Sequence, residues 1–343
     1  MFRLKDLKRT FAIAVPILAL GLMSGDLALA QKKGGGGGAG GGNTGGGTIY
    51  FDSYALGGFH QMNSDGSGKT PLPIPAGEPS NHLHNGHRWF LALEIIEGET
   101  NPGGDNYRSE LFAYRDDGVR LQLTNDPNLE AIGYYLFDTV RWQPGDARIS
   151  WIAQRWVDGE VVDSGIYEAE LIVDESDDLI GLDIDTISLL VPEIGIATHD
   201  WSPDGTRIVY DVVNELGAHE LYIADLLLQQ ISLLTTSPGK LPDWSPDGSK
   251  IAFQKAVFRG GISTINPDGT GLADVIRPTG RSVSPQVYRP RWSPTGSHLI
   301  YALWGFDEPF YTSWQYVYRA TANGGSKANL TSNTDHSVPV GWR

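Results

Sequence analysis

Hydrophobic positions along this chain fall in short β-type runs, and polar turn residues separate one run from the next. Six of the runs are rich in β-branched and aromatic residues: TIYFDSY, WFLALEI, RISWIAQ, RIVYDVV, KIAFQKA and HLIYALW. This composition is typical of strands. No long stretch has a convincing helical period. IADLLLQQISLL (223–234) comes nearest, but it falls where the neighbouring units place a strand, a turn and a strand. The pattern predicts an all-β fold from Thr48 onward.

The polar segments between the runs repeat one turn motif. Three copies read HDWSPDGTRI (199–208), PDWSPDGSKI (242–251) and PRWSPTGSHL (290–299). In Ser-Pro-Asp-Gly, proline presets φ at the second turn position, aspartate suits the third, and glycine accepts the left-handed conformation. The motif therefore predicts a strand carrying tryptophan, a tight turn and a second strand. WQPGD (142–146) fits the same frame in decayed form, and HLHNG (82–86) fits it more loosely.

A second hairpin signature lies further along most units. It reads NSDGSG (63–68), RDDGVR (115–120), NPDGTG (266–271) and TANGGS (321–326). Two hairpins supply four strands per unit. A repeat of about 40–60 residues with four strands per unit is the signature of a β-propeller.

The number of units predicts six blades. Full units begin near residues 80, 140, 199, 242 and 290, whereas the folded region starts within a unit at TIYFDSY. The chain also ends within a unit, at HSVPVGWR (336–343). We expect this last strand to complete the first blade, because such pairing closes the ring without free edges.

The repeats DWSPDGTRIVY and DWSPDGSKIAF, with INPDGTG between strands, resemble the WD40-like repeats of the TolB family of six-bladed propellers. The resemblance covers residues 48–343. It implies the propeller fold, but propellers host many functions. TolB carries an α/β domain ahead of its propeller, within the Tol-Pal envelope system. A glycine tract takes that place here, which argues against a Tol-Pal role and leaves that role as an alternative.

The first 47 residues predict export followed by a spacer. Residues 1–30 combine an early basic region, an apolar stretch and the small residues Ala28–Ala30, which is the layout of a signal peptide, so the mature chain is expected to begin at Gln31. Residues 31–47 are a glycine-rich flexible linker. The chain has no cysteine, so packing alone must hold an exported fold together. We predict a periplasmic or secreted protein with no membrane span after cleavage.

Charge and motifs narrow the partners and the chemistry. The net charge of −15, which becomes −17 after signal removal, argues against nucleic acid as a partner. GSGKT within NSDGSGKTPL is interpreted as a turn, because the following PLPIP forbids the helix that a phosphate-binding loop requires. Neither a Gly-x-Ser-x-Gly nor a His-Glu-x-x-His motif occurs. We predict no cofactor and no catalytic residue.

Four histidines remain as weak metal candidates. His82, His84, His199 and His336 fall near the starts of blades, where first strands line the channel of a propeller. Imidazole is a common ligand of divalent ions. Oligogalacturonate lyases resemble the TolB family and hold a metal with channel histidines, so a metal-dependent lyase is an alternative function. The acidic stretch 174–185 is interpreted as a solvated loop between outer strands of the third blade.

Aromatic residues outside the repeat frame are candidates for partner binding. Trp304, Tyr311, Trp314 and Tyr316 lie in a long excursion between strands of the sixth blade, where they bind a partner or cover the blade's own edge. By contrast, the repeated tryptophans at 142, 201, 244, 292 and 342 are expected to pack between blades. The combined pattern predicts an exported, non-enzymatic propeller that binds an envelope or extracellular protein or a ligand.

Overall fold

The computed structural model describes residues 45–343, apart from positions 54, 76 and 82 and segments 98–106, 125–130, 134–139, 158–159, 279–284, 308–311 and 332–335. The described residues form 25 strands and no helix, which confirms the all-β prediction. None of them forms a helix that could span a membrane.

The strands follow one another as short hairpin-forming segments. In chain order they are β1 (Thr48–Ser53), β2 (Gly58–Asn63), β3 (Thr70–Pro71), β4 (Glu78–Pro79), β5 (Trp89–Glu97), β6 (Tyr107–Arg115), β7 (Arg120–Gln122), β8 (Ala131–Gly133), β9 (Val140–Trp142), β10 (Arg148–Val157), β11 (Glu160–Val173), β12 (Leu179–Pro192), β13 (Ile196–Trp201), β14 (Arg207–Val213), β15 (His219–Asp225), β16 (Gln230–Thr235), β17 (Gly239–Trp244), β18 (Ile251–Lys255), β19 (Ile262–Ile265), β20 (Ala273–Ile276), β21 (Gln286–Trp292), β22 (His298–Asp307), β23 (Thr312–Thr321), β24 (Ala328–Asn329) and β25 (Ser337–Trp342).

Six antiparallel sheets form the six blades of a propeller. Blade 1 has the order β25-β1-β2-β3, blade 2 has β4-β5-β6-β7, and blades 4, 5 and 6 are β13–β16, β17–β20 and β21–β24. Blade 3 is larger, because β8 and β9 both pair with the long strand β10 ahead of β11 and β12. The sequence did not predict β8.

The last strand closes the ring, as predicted. β25 pairs antiparallel with β1, from Ile49 opposite Trp342 to Ser53 opposite Ser337. Arg343 extends the pairing, since its N–H donates to the Thr48 carbonyl at 3.0 Å and its carbonyl accepts from the Thr48 N–H at 2.6 Å. One sheet therefore joins the two ends of the propeller sequence.

The repeated turn is stabilised by its own side chains. In blade 4, the Gly205 N–H donates to the Ser202 carbonyl at 2.9 Å, and φ of Gly205 is +70°. The Ser202 hydroxyl accepts from the Arg207 N–H at 2.9 Å, and Asp204 accepts from the Thr206 N–H at 3.0 Å. These bonds explain why serine, aspartate and glycine recur together.

The hydrophobic core is divided into six clusters, one at each seam between neighbouring blades. Five of the seams contain a repeated tryptophan that is at most 6% exposed: Trp142, Trp201, Trp244, Trp292 and Trp342. Each packs with residues of the preceding blade, in agreement with the prediction. The seam between blades 1 and 2 uses phenylalanine and tyrosine instead, including Phe59 and Phe90, whose rings meet edge to face at 5.6 Å.

Blade 2 departs from the repeat frame. HLHNG does form a tight turn, with His84 and His87 bridged around Asn85 and Gly86. However, the strand that pairs with β5 lies earlier, at Glu78–Pro79, and the Ser80 N–H continues that ladder by donating to the Trp89 carbonyl. Ser80 therefore matches the turn serine of the other blades, such as Ser202, and Pro79 occupies the place that tryptophan holds there.

The acidic stretch 174–185 is only partly a loop. The turn is confined to residues 174–178, where Asp174 accepts from the N–H groups of Ser176 and Asp178. Residues from Leu179 onward belong to the 14-residue strand β12. The isoleucines and leucines that flank the aspartates at 183 and 185 supply the strand propensity that the charge density obscured.

Gly45–Gly47, the described end of the glycine tract, lie against the seam between blades 6 and 1. The Gly46 carbonyl accepts from the Trp342 indole N–H at 2.6 Å, and the Gly45 carbonyl accepts from the Thr295 hydroxyl at 3.2 Å. A Cβ at Gly47 would lie 2.5 Å from the Arg343 carbonyl oxygen. These three glycines are therefore part of the propeller's packing.

Candidate functional site at the channel mouth

The six blades meet around a recess of roughly 420 Å³ at the mouth of the central channel. All six blades contribute residues to its wall, through their first strands and the turns that follow. The five repeated tryptophans reach this wall, together with the turn prolines Pro144, Pro203, Pro246 and Pro294. The turn motif that builds each blade thus also builds a rigid, partly apolar rim.

Aspartates that precede the tryptophans tie neighbouring blades together at the recess. Asp200 of blade 4 accepts a hydrogen bond from the Trp244 backbone N–H of blade 5 at 2.7 Å. Asp243 of blade 5 repeats the contact, accepting from the Trp292 N–H of blade 6 at 2.7 Å. The Asp-Trp pair in the sequence is therefore a clamp between blades as well as a strand end.

Charged side chains of opposite sign continue around the recess. Arg343 of blade 1 lies 2.7 Å from Glu78 of blade 2. Arg141 of blade 3 lies 3.9 Å from the second Glu78 oxygen and 3.7 Å from Asp200. The side chains of Glu78 and Arg141 are 5% and 4% exposed, so this chain of ion pairs lies largely out of solvent.

On the other side of the recess, Arg291 of blade 6 contacts both neighbouring blades. Its guanidinium lies 3.3 Å from Asp243 and donates to the Val340 carbonyl of blade 1 at 2.9 Å. Around the described ring, acidic and basic groups alternate except at two junctions. Two basic groups, Arg291 and Arg343, follow one another between blades 6 and 1. Two acidic groups, Asp200 and Asp243, follow one another at the junction between blades 4 and 5.

The junction changes the acidity of both carboxyl groups. Burial, reinforced by the charge of Asp243, raises the pKa of Asp200 to about 7, although Arg141 and Arg291 act in the opposite direction. Burial also raises the pKa of Asp243, against the lowering effect of Arg291. Near neutral pH the pair can hold a proton that ordinary aspartates have lost.

We expect this proton to make stability depend on pH. In the unfolded chain Asp200 has an ordinary pKa near 4, so between about pH 4 and pH 7 the folded state binds more protons. Asp200 should therefore add on the order of 1–2 kcal/mol to the free energy of unfolding as pH falls from 8 to 5. Buried, neutral His199 acts in the opposite direction below about pH 6.5, so the parent is compared with Asp200→Asn, which should lack the Asp200 contribution while keeping an acceptor for the Trp244 N–H. Urea unfolding at pH 5, 6.5 and 8 measures the difference.

Asp204→Asn is the matched control, because hydrogen bonds from Ser202 and Thr206 lower the pKa of Asp204 to about 2. That group is ionised in both states from pH 5 to 8, so its replacement should change stability equally at both ends of the range. An Asp200→Asn effect that is also independent of pH would contradict the shared-proton interpretation.

The candidate metal-binding histidines do not form a group of ligands in the described structure. His199 is fully buried, and its Nε2 lies 2.7 Å from the Ser150 hydroxyl of blade 3. Burial and the charge of Arg141 hold the pKa of His199 well below its usual value, so the ring stays neutral. His84 stacks against Trp142 at 6.1 Å and approaches Asp177 at 3.4 Å, whereas His336 is half-buried just before β25. His82 lies outside the described residues.

Among the described residues, one group of three potential metal ligands occurs, formed by His87, Asp116 and Asp117. These ligands already have protein partners. Asp116 accepts from the Arg88 N–H and lies 2.8 Å from His87, while both oxygens of Asp117 accept from Arg115 at 2.9 Å. The arrangement is that of a polar network between turns.

The aromatic residues of blade 6 lie on strands and not on a loop. Trp304 is on β22, and Trp314 and Tyr316 are on β23, so the predicted excursion is a long hairpin. The rings of Trp314 and Tyr316 stack at 5.3 Å. The register pairs them with Gly305 and Leu303, which places Trp304 on the opposite face. Tyr311 lies outside the described residues.

The placement of these aromatic residues on opposite faces of the hairpin bears on their predicted role in partner binding. Trp314 packs against the core cluster at the seam of blades 5 and 6, and all three described aromatics are half-buried. They therefore do not form one continuous patch, and their role in binding stays a prediction.

Comparisons with known proteins agree on the fold. No protein-family model and no curated protein sequence matches the chain. The solved structure of TolB from Acinetobacter baumannii is 15% identical, with a TM-score of 0.56, and the match covers 88% of this chain and 68% of that one. A putative TolB from Agrobacterium tumefaciens is 17% identical over 86% and 96% of the two chains, with a TM-score of 0.45.

An enzyme is also among the similar solved structures. An oligogalacturonate lyase in complex with manganese is 15% identical, with a TM-score of 0.44 over 75% of this chain and 73% of that one. A propeller fold by itself selects neither a binding protein nor an enzyme. The described residues form a six-bladed β-propeller, similar in fold to the propeller of TolB, whose blades meet at a charged, tryptophan-lined recess.

Proposed function

We propose that the chain is an exported, non-enzymatic binding module of the cell envelope, and that it binds its partner at the channel mouth. The observation that carries the proposal is the recess where all six blades meet. Its wall combines tryptophan and proline surface with charged groups of both signs. Concave sites with apolar walls and a few fixed polar groups are typical of ligand and partner binding.

The chemistry of the recess favours binding over catalysis. Its arginines lie against carboxylates, and its aspartates accept backbone N–H groups, so these side chains hold the blades in position. The histidine beside it, His199, is buried against Ser150 and neutral. A partner would contact the exposed rim at Pro203 and Pro246 and would find charges of both signs just inside.

The test is capture of envelope proteins by the mature chain, with variants that separate the two candidate surfaces. Pro203→Trp narrows the recess from an exposed turn position and leaves the buried charges untouched. Trp304→Ala and Tyr316→Ala remove aromatic surface from the blade 6 hairpin. We expect a specific partner to be recovered by the parent and by both hairpin variants, and lost with Pro203→Trp.

Other results would redirect the proposal. Loss of the partner only in the hairpin variants would move the binding site to blade 6. Cleavage of oligogalacturonate with a bound equivalent of manganese, lost on His84→Ala or His199→Ala, would establish the lyase alternative. Amino-terminal sequencing of protein recovered from cells should begin at Gln31, and a retained Met1 would exclude signal cleavage.

A further inference from the structure

The outermost strand of blade 4 is an unprotected apolar edge. β16 pairs with β15 on one side and with no described strand on the other. Ile231 and Leu233 are each 47% exposed on this strand, and the preceding turn exposes Leu227 at 76% and Leu228 at 65%. Four large apolar side chains are thus exposed on this free edge strand and on the turn that precedes it.

No charged side chain interrupts this edge. Residues 226–239 contain neither acidic nor basic residues, although the chain as a whole carries a net charge of −15. Natural proteins usually protect free strand edges with charge, proline, bulges or short length, because an exposed edge pairs with other strands.

The other five blades have such protection. Their outermost strands either contain a charged residue or proline, or are two residues long: β3 has Pro71, β7 has Arg120, β12 has Asp183 and Asp185, β20 has Asp274, and β24 spans Ala328–Asn329 beside Lys327. Among the described outer strands, β16 therefore stands alone.

We propose that β16 is a self-association surface at which two copies of this chain pair edge to edge, with their β16 strands antiparallel. A two-fold axis near Ser232 and Leu233 would bring the same apolar residues of both copies together, as a self-complementary interface requires. The two four-stranded sheets of blade 4 would then form one eight-stranded sheet.

Charge favours a second copy at this edge over any other part of the outer rim. Two strongly acidic chains repel one another wherever carboxylates meet, and β12 and β20 would place Asp183 or Asp274 at the seam. The uncharged segment 226–239 avoids that repulsion. Because β16 is the one such strand among the described outer strands, pairing uses up that free edge and ends at two copies.

The area of the edge sets the strength of the dimer. A six-residue strand and two flanking leucines offer less surface than the roughly 800 Å² per partner of a stable interface. The dimer should therefore be weak and concentration-dependent.

Sedimentation equilibrium of the mature chain over a wide concentration range tests the proposal. We expect a reversible monomer–dimer equilibrium whose dissociation constant rises by about tenfold or more in Ile231→Lys and in Leu233→Lys, because each places two like charges at the axis. Leu216→Lys is the matched control. Leu216 is 93% exposed in the β14–β15 turn of the same blade, so this variant adds the same charge away from the edge and should dimerise like the parent.

A cross-link gives independent evidence for the axis. The chain has no cysteine, so Ser232→Cys introduces a single thiol on the exposed strand. Under mild oxidation it should form a disulfide-linked dimer far faster than Leu216→Cys. A parent that stays monomeric at all concentrations would overturn the proposal. Dimers that are unaffected by both lysine variants, or open-ended aggregates in place of dimers, would overturn it as well.

Discussion

Arg291→Met should destabilise the propeller by about 3–5 kcal/mol at pH 8, the range observed when one partner of a buried ion pair is removed. The Arg291 side chain is 3% exposed, lies 3.3 Å from Asp243 and donates to the Val340 carbonyl of the closing strand. Methionine keeps the aliphatic length but removes the charge. Asp243 would then lie ionised beside Asp200 without its main counter-charge.

A second substitution shows whether the charge is the cause. Asp243→Asn in the Arg291→Met background keeps an acceptor for the Trp292 N–H and removes the unpaired carboxylate, so much of the lost stability should return. Lowering the pH to 5 should also restore part of it in the single variant, because burial already raises the pKa of Asp243. Urea unfolding of the four variants in the cycle measures the coupling.

Arg148→Met is the matched surface control. Arg148 is 37% exposed and pairs with Glu168 at 2.9 Å on strands of blade 3. Exposed pairs contribute about 0–1 kcal/mol, so this variant should unfold almost like the parent. If the effects of Arg291→Met and Asp243→Asn on the free energy of unfolding simply add, Arg291 does not stabilise the seam by neutralising the charge of Asp243.

The blade pattern could be predicted from the sequence because interactions between residues close in sequence determine it. Serine, proline, aspartate and glycine in WSPDG fix a turn through bonds within six residues, such as that between Ser202 and Arg207. The spacing of those turns gives the number of blades, and the tryptophan beside each turn marks the buried side of a first strand. The split blade followed from the same spacing.

The charged side chains that alternate around the recess were harder to predict, because the two members of each ion pair come from different blades. Arg291 and Asp243 are 48 residues apart, and Arg343 and Glu78 are 265 apart. One signal was available: a charged residue directly precedes tryptophan at 141, 200, 243 and 291. Equivalent positions of successive blades face one axis, so those residues had to meet at the channel.

The repeat frame misplaced the aromatic residues of blade 6 and did not reveal where the histidine side chains point. Trp304, Trp314 and Tyr316 did not fit the repeat and were interpreted as loop residues, yet they continue the strands β22 and β23 beyond the repeat length. His199 was grouped with other histidines by its place in the repeat. Its side chain instead enters the seam toward Ser150, because residues one position apart on a strand face opposite sides.

Deleting residues 336–343 should open the ring and lower the melting temperature more than any single substitution in the seam. The deletion removes all of β25, including its ladder with β1 and the Arg343 contacts to Thr48 and Glu78. It also removes Trp342, which is 1% exposed and fills the seam between blades 6 and 1. The β1 edge left behind would be free to aggregate.

The Trp342→Ala variant loses the packing of the tryptophan side chain but keeps the backbone pairing of β25 with β1. Truncating a buried tryptophan costs about 3–5 kcal/mol, which lowers the melting temperature of a protein this size by on the order of 10 °C. The deletion should melt lower still, since the backbone ladder goes as well. The control lacks residues 31–44 but keeps Gly45–Gly47, which contact Trp342 and Arg343, and it should melt with the parent. An eight-residue deletion that leaves the melting temperature unchanged would mean that β25 behaves as a frayed terminus and that pairing of β25 with β1 does not hold the ring closed.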